Sequence, residues 1–432
     1  MRRPRVALIT FGCRVNQYDT DAMRFLLASS CELVEEGEVD VYIVNGCSVT
    51  SLAEKKARQA LHRLRASSPE ALILITGCLG EAMSRGMTRI EGADAVAGVG
   101  WRSRIPDAVA QALAGRRGHL DVVDLPSLDD EASAGPRDRI RAFLKVQDGC
   151  SGACSYCRAV QLRGAPRSKS LRAAVLEAQQ LLDHGFPEIV LTGVSLAEYA
   201  APDGGLPALA RSLLKLTGLV RLRVASANVT GITDDLLDVF VNDSRFAPHF
   251  HLPLQSGDDR VLHSMRRPYT ISSFRSAVAR ISNRLPYATF GTDIIVGFPG
   301  ETDAAFDATC RAVDDIGFAN LHVFRYSARP GTEAARLAPI VPESVKRDRA
   351  ERLSLLGNAV RRRALDARLG GIEDVLVEGR RGGRWSGHTG TYLEAVFASD
   401  DPVCVGTLCR VRITGASERG LEGVHDGPHR AD

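Results

Sequence analysis

The sequence predicts an α/β protein in three parts: an N-terminal open parallel α/β sheet, a partial (β/α) barrel, and a small antiparallel β-barrel. Three observations predict it. In the first hundred residues an apolar run, a Gly-Cys pair and an amphipathic helical pattern recur three times. Strand and helix patterns alternate six times between residues 142 and 324, and Gly-rich turns separate short alternating runs beyond residue 370. At 432 residues the chain can build roughly three domains of about 150 residues each.

The strand runs of the first part are Val6 to Phe11, Val41 to Asn45 and Leu72 to Thr76, leading into Gly12-Cys13, Gly46-Cys47 and Gly77-Cys78. Short runs rich in β-branched residues, with helical segments between them, read as buried parallel strands. Cysteine spacings of 34 and 31 match one βαβ unit each. Ser51 to Glu54 reads as a capping box opening a helix through Arg65. Leu120 to Val123 offers a last strand. The first part covers 1–118 and a linker 119–139, which is acidic, small and turn-rich from Pro126 to Pro136.

The second part, 140–345, carries candidate strands Ala142 to Val146, Glu188 to Thr192, Arg221 to Ala225, His249 to Leu254, Thr292 to Val296 and Leu321 to Phe324. Helical stretches such as Leu171 to His184 and Phe274 to Asn283 separate them, as in a closed or partly closed (β/α) barrel. A basic helical connector over 346–370 follows. Asp374 to Glu378, Tyr392 to Phe397 and Leu408 to Ile413 are then the expected strands of a small barrel over 371–427, frayed after about 424.

With 44% hydrophobic and 25% charged residues, collagen-like, low-complexity and disordered chains are excluded. No apolar run approaches the ~20 residues of a membrane span and the start is too short for a signal h-region, so a cytoplasmic protein without membrane partners is expected. A formal charge of +3 says almost nothing about partners. Ten cysteines say more, because a reducing compartment favours metal or redox chemistry over disulfides.

Cys150, Cys154 and Cys157 form a C-x3-C-x2-C loop directly after a strand. Three thiolates with no fourth ligand nearby can hold three irons of a cubic cluster and leave the fourth open. A zinc site completed from a distance and unligated core thiols are the plainer alternatives. Cys13, Cys47 and Cys78 each follow a predicted parallel strand, at the edge where open α/β sheets gather ligands, so they are expected to converge in space. Singly, such a cysteine is a small buried hydrophobe. The glycine before each lets the backbone turn sharply and approach a bulky cofactor closely. Cys31, Cys310, Cys404 and Cys409 lack metal-ligand spacing and read as packing residues.

The C-x3-C-x2-C loop resembles the signature of the radical S-adenosylmethionine (SAM) superfamily. Joined to the N-terminal cysteines, it resembles the methylthiotransferase family of radical SAM enzymes over nearly the whole chain. The segments that carry the likeness include Gly12 to Asp19, Asn45 to Thr50, Phe143 to Cys150, Arg163 to Ser168, Leu191 to Val194, His251 to Gly257, Asp293 to Thr302 and Tyr326 to Thr332. The resemblance implies an N-terminal three-cysteine domain, a radical SAM barrel and a C-terminal RNA-binding TRAM barrel. It implies two [4Fe–4S] clusters, one on Cys13, Cys47 and Cys78 and one on Cys150, Cys154 and Cys157. The open iron of the second would chelate SAM, and one electron, from a donor such as flavodoxin or ferredoxin, would cleave it to a 5′-deoxyadenosyl radical. Sulfur at the first cluster would then end as a methylthio group on an adenosine of tRNA. The branch it looks most like acts on threonylcarbamoyladenosine beside the anticodon. The sulfur donor is left unassigned.

By the same resemblance Tyr156, Gly193, Gly297 and Glu301 are expected around SAM, and His249 and His251 near the barrel mouth; the plainer readings are loop packing for Tyr156 and satisfied structural roles for the two histidines. The chain departs from the family pattern at Arg158, Ala159, Val160, Asn228, Val229 and Arg325, and at Gly80-Glu81 after Cys78-Leu79. None of these removes a cluster ligand. Two rival readings stand beside it: the same chemistry on a peptide or small metabolite, and a non-catalytic iron–sulfur protein that binds RNA or senses iron. For RNA, Val345 to Leu369 carries eight basic and three acidic side chains, whereas residues 373–424 carry six basic and eight acidic. Within that last stretch only Arg380 to Trp385 offers cations beside an aromatic ring.

Overall fold

A computed structural model describes residues 2–121, 123–135 and 139–428. Val122 of the expected last strand, Pro136 of the linker and the expected frayed end beyond 428 lie outside the described residues.

The apolar runs of the first part form a parallel sheet in the order Glu32–Leu33, Arg5–Thr10, Val41–Asn45, Leu72–Thr76, Ala95–Val96, Gly118–His119. Thr10 pairs with Asn45 and Asn45 with Thr76, so the three Gly-Cys pairs leave the sheet at one edge. The last strand is Gly118–His119, just ahead of the expected run. The helix Ser51–Ser67 is capped one residue earlier than expected. Thr50 keeps an extended backbone and accepts the Ala53 N–H at 3.3 Å, which leaves Ser51 helical and frees Glu54 to meet Ser48, Thr88 and Arg329.

The six barrel strands form two parallel three-stranded sheets. Arg141–Lys145, Glu188–Thr192 and Arg221–Val224 make one, and His249–His251, Thr289–Val296 and Asn320–Arg325 the other. A bridge between Leu222 and Phe246 and the bond from Ala227 N–H to His251 C=O join them into a partial barrel. Along Thr289–Val296, Phe290, Ile294 and Val296 enter the apolar core shared with the surrounding helices. The alternation of a strand therefore turns Gly291, Asp293 and Ile295 to the lumen.

A buried ionic network joins the N-terminal part and the linker to the first barrel strand. Lys145 meets Asp19 and Glu131, Arg102 meets Glu131 and Asp148, and Arg163 meets Asp19 and Asp148. Charges this deep persist only when paired, so the network fixes how these parts sit.

The helix Glu343–Asp366 leads to a closed five-stranded barrel ordered Ile372–Arg381, Arg384–Thr389, Glu394–Ala398, Gly420–Pro428, Leu408–Ser417. One contact is parallel, Glu394–Ala398 with Gly420–Pro428, and the rest are antiparallel. Arg384–Thr389 is an unexpected strand, lacking apolar alternation and held by its neighbours on both sides. The final strand runs to Pro428, so the chain is still paired past residue 424. This barrel docks through Glu188, which is fully buried and accepts from Arg223 at 2.9 Å and Arg221 at 3.4 Å. The same two arginines donate to the carbonyls of Asp374, His388, Thr389 and Gly390.

Candidate active site

Cys13 is the N-cap of the helix Arg14–Leu27, Cys47 lies two residues past the strand Val41–Asn45, and Cys78 is in the first turn of the helix Gly77–Ser84. Two of the preceding glycines are fixed by conformation. Gly12 has φ +135° and Gly77 has φ +75°; a Cβ on Gly12 would stand 2.6 Å from the Cys47 Cβ, and one on Gly77 would stand 2.1 Å from Asn45 Oδ1. The close approach that excludes a side chain is thus to the chain's own atoms, and it brings the backbones of Cys13 and Cys47 together. Burial pushes the Cys47 thiol up to about 12, with Cys78 and Cys13 adding to the shift.

The second trio leaves the strand Arg141–Lys145 by a loop that Glu198 secures. Its carboxylate accepts the Ser151 N–H at 2.8 Å and the Cys150 thiol at 3.3 Å. Burial lifts Cys150 to about 11 and Cys157 above the ordinary thiol range. The two trios face each other across the domain junction: Cys78 lies close enough to disfavour ionisation of Cys157, and Arg163, six residues beyond Cys157, donates to Cys78 Sγ at 3.1 Å. Arg163 also reaches Asn16, Asp19 and Asp148.

Donor chemistry tests whether these thiols suit iron–sulfur clusters. Five of the six sulfurs accept an N–H: Cys47 from Val49, Cys78 from Arg163, Cys150 from Gly152, Cys154 from Arg267 and Cys157 from Ala159. Hydrogen bonds to sulfur stabilise ligating thiolates and tune cluster potentials. Among the described residues only His251, Asp293 and His322 draw three ligand atoms within 4.8 Å of one another, so neither cysteine trio is gathered at the spacing of a single ion. Three separated thiols with N–H donors aimed at them fit a cluster better than zinc.

The other expected site residues take these places. Tyr156 packs edge-on to Phe298, centroids 6.5 Å apart, in an apolar group with Met265 and Tyr326. Gly193 abuts Gln147, whose Oε1 accepts the Ser195 N–H at 2.7 Å. Glu301 closes the turn after Thr289–Val296, accepting the Gly297 N–H and pairing with Arg349, each at 2.6 Å. His249 is buried, bonds Thr289 and is held neutral by burial and by Arg223. His251 and His322 both meet Asp293 Oδ1, at 3.1 and 3.0 Å, and lower its pKa despite burial. Cys31, Cys310 and Cys409 pack in cores, whereas Cys404 is exposed.

The cations expected to meet RNA are largely occupied. Along the helix Glu343–Asp366, Lys346, Arg349, Arg352, Arg361, Arg362 and Arg363 hold protein partners, as does Arg368 just beyond it. On the last barrel Arg381 pairs with Glu394 and Arg384 with Glu422, while Arg380 lies over Trp385 at 4.3 Å. Sequence reasoning missed Arg163, Glu198, Arg267, His322 and Tyr392 as site residues. Arg163 stood in a quoted segment; the rest act through contacts distant in sequence.

A partial parallel barrel carrying a C-x3-C-x2-C loop at a strand end, faced by a three-cysteine sheet edge, defines a radical SAM enzyme. The Radical SAM superfamily model matches residues 144–313, and the model described as uncharacterized protein family UPF0004 matches residues 5–98. The threonylcarbamoyladenosine tRNA methylthiotransferase MtaB of Thermotoga maritima is 35% identical, covering 96% of both chains. That of Bacillus subtilis is 32% identical over 97% of this chain and 95% of the relative. A tRNA-2-methylthio-N(6)-dimethylallyladenosine synthase of Cereibacter sphaeroides is 34% identical over 97% and 98%. The radical SAM methyltransferase TsrM of Kitasatospora setae shares the fold, with TM-score 0.58, 15% identity and 77% and 75% coverage. The chain belongs to the radical SAM methylthiotransferase family, enzymes that transfer a sulfur group using SAM and [4Fe–4S] clusters.

Proposed function

We propose that this enzyme adds a methylthio group to N6-threonylcarbamoyladenosine in tRNA, at C2 of the base, in the cytoplasm. The observation that carries the reading is the pair of cysteine trios facing each other across one junction, with N–H donors on five of six sulfurs. Cys150, Cys154 and Cys157 hold one cluster and Cys13, Cys47 and Cys78 the other. When bound, the first cluster and SAM supply a hydrogen-abstracting radical, with an electron from a donor such as flavodoxin or ferredoxin, and the second cluster supplies sulfur.

The chain's own residues do the placing. Glu198 pins the loop at Ser151 and Cys150, Arg267 holds Cys154, and Arg163 ties Cys78 to Asp148, two residues before Cys150. Gly193, Gly297 and Glu301 shape strand ends around SAM, with Tyr156 buttressing the apolar wall. The lumen below presents His251, Asp293 and His322, a polar lining suited to a substituent richer in hydrogen bonds than a dimethylallyl group. Relatives of both substrate classes match over nearly the whole chain, and the polar lining is compatible with the threonylcarbamoyl substituent. No helix among the described residues is long and apolar enough to cross a membrane.

The test is mass spectrometry of tRNA nucleosides from a deletion strain, with purified enzyme, SAM and reductant added back. Loss and restoration of the methylthio-threonylcarbamoyl nucleoside is expected. An unchanged tRNA profile with a new methylthiolated peptide or metabolite overturns it.

A further inference from the structure

Tyr392 stands at the tip between Arg384–Thr389 and Glu394–Ala398 of the last barrel, and its φ is +64°, a left-handed conformation that a bulky residue rarely adopts. That tip enters the space between the other two parts. The Tyr392 ring lies 5.2 Å from the rings of His249 and His388, and the guanidiniums of Arg223, Arg141 and Arg14 stand 4.7, 5.3 and 5.8 Å from its centroid. A strained loop carrying an aromatic ring into a cage of cations from two other parts is a built feature.

The cations of this cage differ in one respect. Arg223 pairs with Glu188 and Arg141 with Glu378. Arg14 meets neutral oxygens: the Ala225 carbonyl at 3.0 Å and the Tyr392 hydroxyl at 3.5 Å. Among the described residues no carboxylate lies within ion-pairing distance of it. Arg14 is also the residue after Cys13 and opens the helix that Cys13 caps. A half-buried guanidinium held in place by a carbonyl and a phenol, with no counter-charge, is arranged for an anion delivered by a ligand.

The substrate chemistry supplies one. Threonylcarbamoyl on N6 ends in a free carboxylate, whereas dimethylallyl is a hydrocarbon. C2 and C6 share one six-membered ring, separated by N1, so a base whose C2 reaches sulfur held at the Cys13 trio carries its N6 substituent past the residues beside that trio. We infer that Arg14, oriented by the Tyr392 hydroxyl from the C-terminal barrel, receives the carboxylate of the N6 substituent and is a specificity-determining residue of this enzyme. The inference rests on the threonylcarbamoyl reading above. It gives the C-terminal barrel a part in the substrate pocket besides any contact with tRNA.

The test uses full-length, anaerobically reconstituted enzyme and three tRNA substrates: one bearing threonylcarbamoyladenosine, the same tRNA with that carboxylate converted to its methyl ester, and one bearing dimethylallyladenosine. Initial rates of methylthio product give kcat and KM, and iron content with 5′-deoxyadenosine release monitors integrity. Arg14→Gln is expected to lose about 10- to 100-fold in kcat/KM on the carboxylate substrate, the range of a hydrogen-bonded charge contact. It is expected to match wild type on the ester, which has already lost the partner charge. Tyr392→Phe, which keeps the ring, is expected to lose a few-fold on the carboxylate substrate alone, and decides the matter if Arg14→Gln loses iron. Arg14→Lys is expected to recover part of the loss. Equal losses on acid and ester, or no loss in either variant, overturn the role of Arg14 while leaving the substrate reading intact. A wild type that modifies only the dimethylallyl tRNA overturns the substrate reading itself.

Discussion

Replacing Glu188 by Gln removes the one carboxylate that both Arg221 and Arg223 share, at the seam where the last barrel docks. Burial opposes its charge, yet Arg223, Arg221 and Arg141 together hold its pKa down at about 2 from a reference of 4.5. Arg221, lowered to about 10 by burial, still carries its proton at neutral pH, so the attraction is intact there. A depression of that size corresponds to about 3 kcal/mol at pH 7. Breaking a buried pair costs about 3–5 kcal/mol by a separate route, and the two agree in scale. Because the folded pKa is depressed, the contribution is full above about pH 4.5 and fades as pH falls from there toward 2. Urea unfolding followed at Trp385, on the docked barrel, should show Glu188→Gln destabilised by about 3 kcal/mol at pH 7, the gap narrowing below pH 4.5. Equal midpoints at pH 7, or a gap that widens in acid, would refute the reasoning.

Iron analysis of reconstituted wild type should give about eight irons per chain, and alanine at either cysteine trio should halve it; a wild-type value near four contradicts two clusters. Removing Cys13, Cys47 and Cys78 should leave reductive SAM cleavage running while methylthio product disappears, and loss of both activities in folded protein would mean that the roles are misassigned. Alanine at Arg361, Arg362 and Arg363 should lower the melting temperature through lost contacts to Asn320, Asp366 and Asp314, and should change the salt dependence of tRNA binding little. A slope that flattens by about three phosphate contacts would restore this helix as an RNA surface.

Val6 to Phe11, Val41 to Asn45 and Leu72 to Thr76 were legible because their apolar runs are uninterrupted, whereas two-residue strands such as Glu32–Leu33 and Ala95–Val96 leave no pattern; the barrel strands that carry Arg221, Arg223, His249, His251 and His322 were legible only from their alternation with helical stretches. Strand-end registry then made convergence of Cys13, Cys47 and Cys78 a deduction from topology. The last barrel was half legible: Arg384–Thr389 has polar and glycine positions that only its paired neighbours make a strand. Charge counting along Val345 to Leu369 left the role of this stretch open, since sequence gives the sign of each side chain and not the partner it has already found. Tyr392 and Arg14 could not be joined on paper at all, being 378 residues apart.

The positions at which the chain leaves its family pattern bear on how its parts are joined more than on what the donors are. Arg158, the residue after Cys157, is buried and donates to the carbonyls of Pro330 and Met87 and to Ser48 Oγ. Ser48 follows Cys47 and Arg158 follows Cys157, so this guanidinium is a second link between the two trios beside that of Arg163. Nearby, Arg329 reinforces the link through the Ser48 carbonyl and Glu54. Ala159 leaves its backbone N–H on Cys157 Sγ, and Val160 is partly exposed. Arg325 turns outward toward Glu343, and Val229 joins the barrel core. None of these changes removes a thiol or an N–H aimed at one. A buried arginine beside each trio, each bonded across the junction, holds the distance between the two sites by polar contacts that an apolar residue could not make. Sulfur transfer requires the carbon activated at one site to reach the other, so that distance is the quantity the junction has to keep.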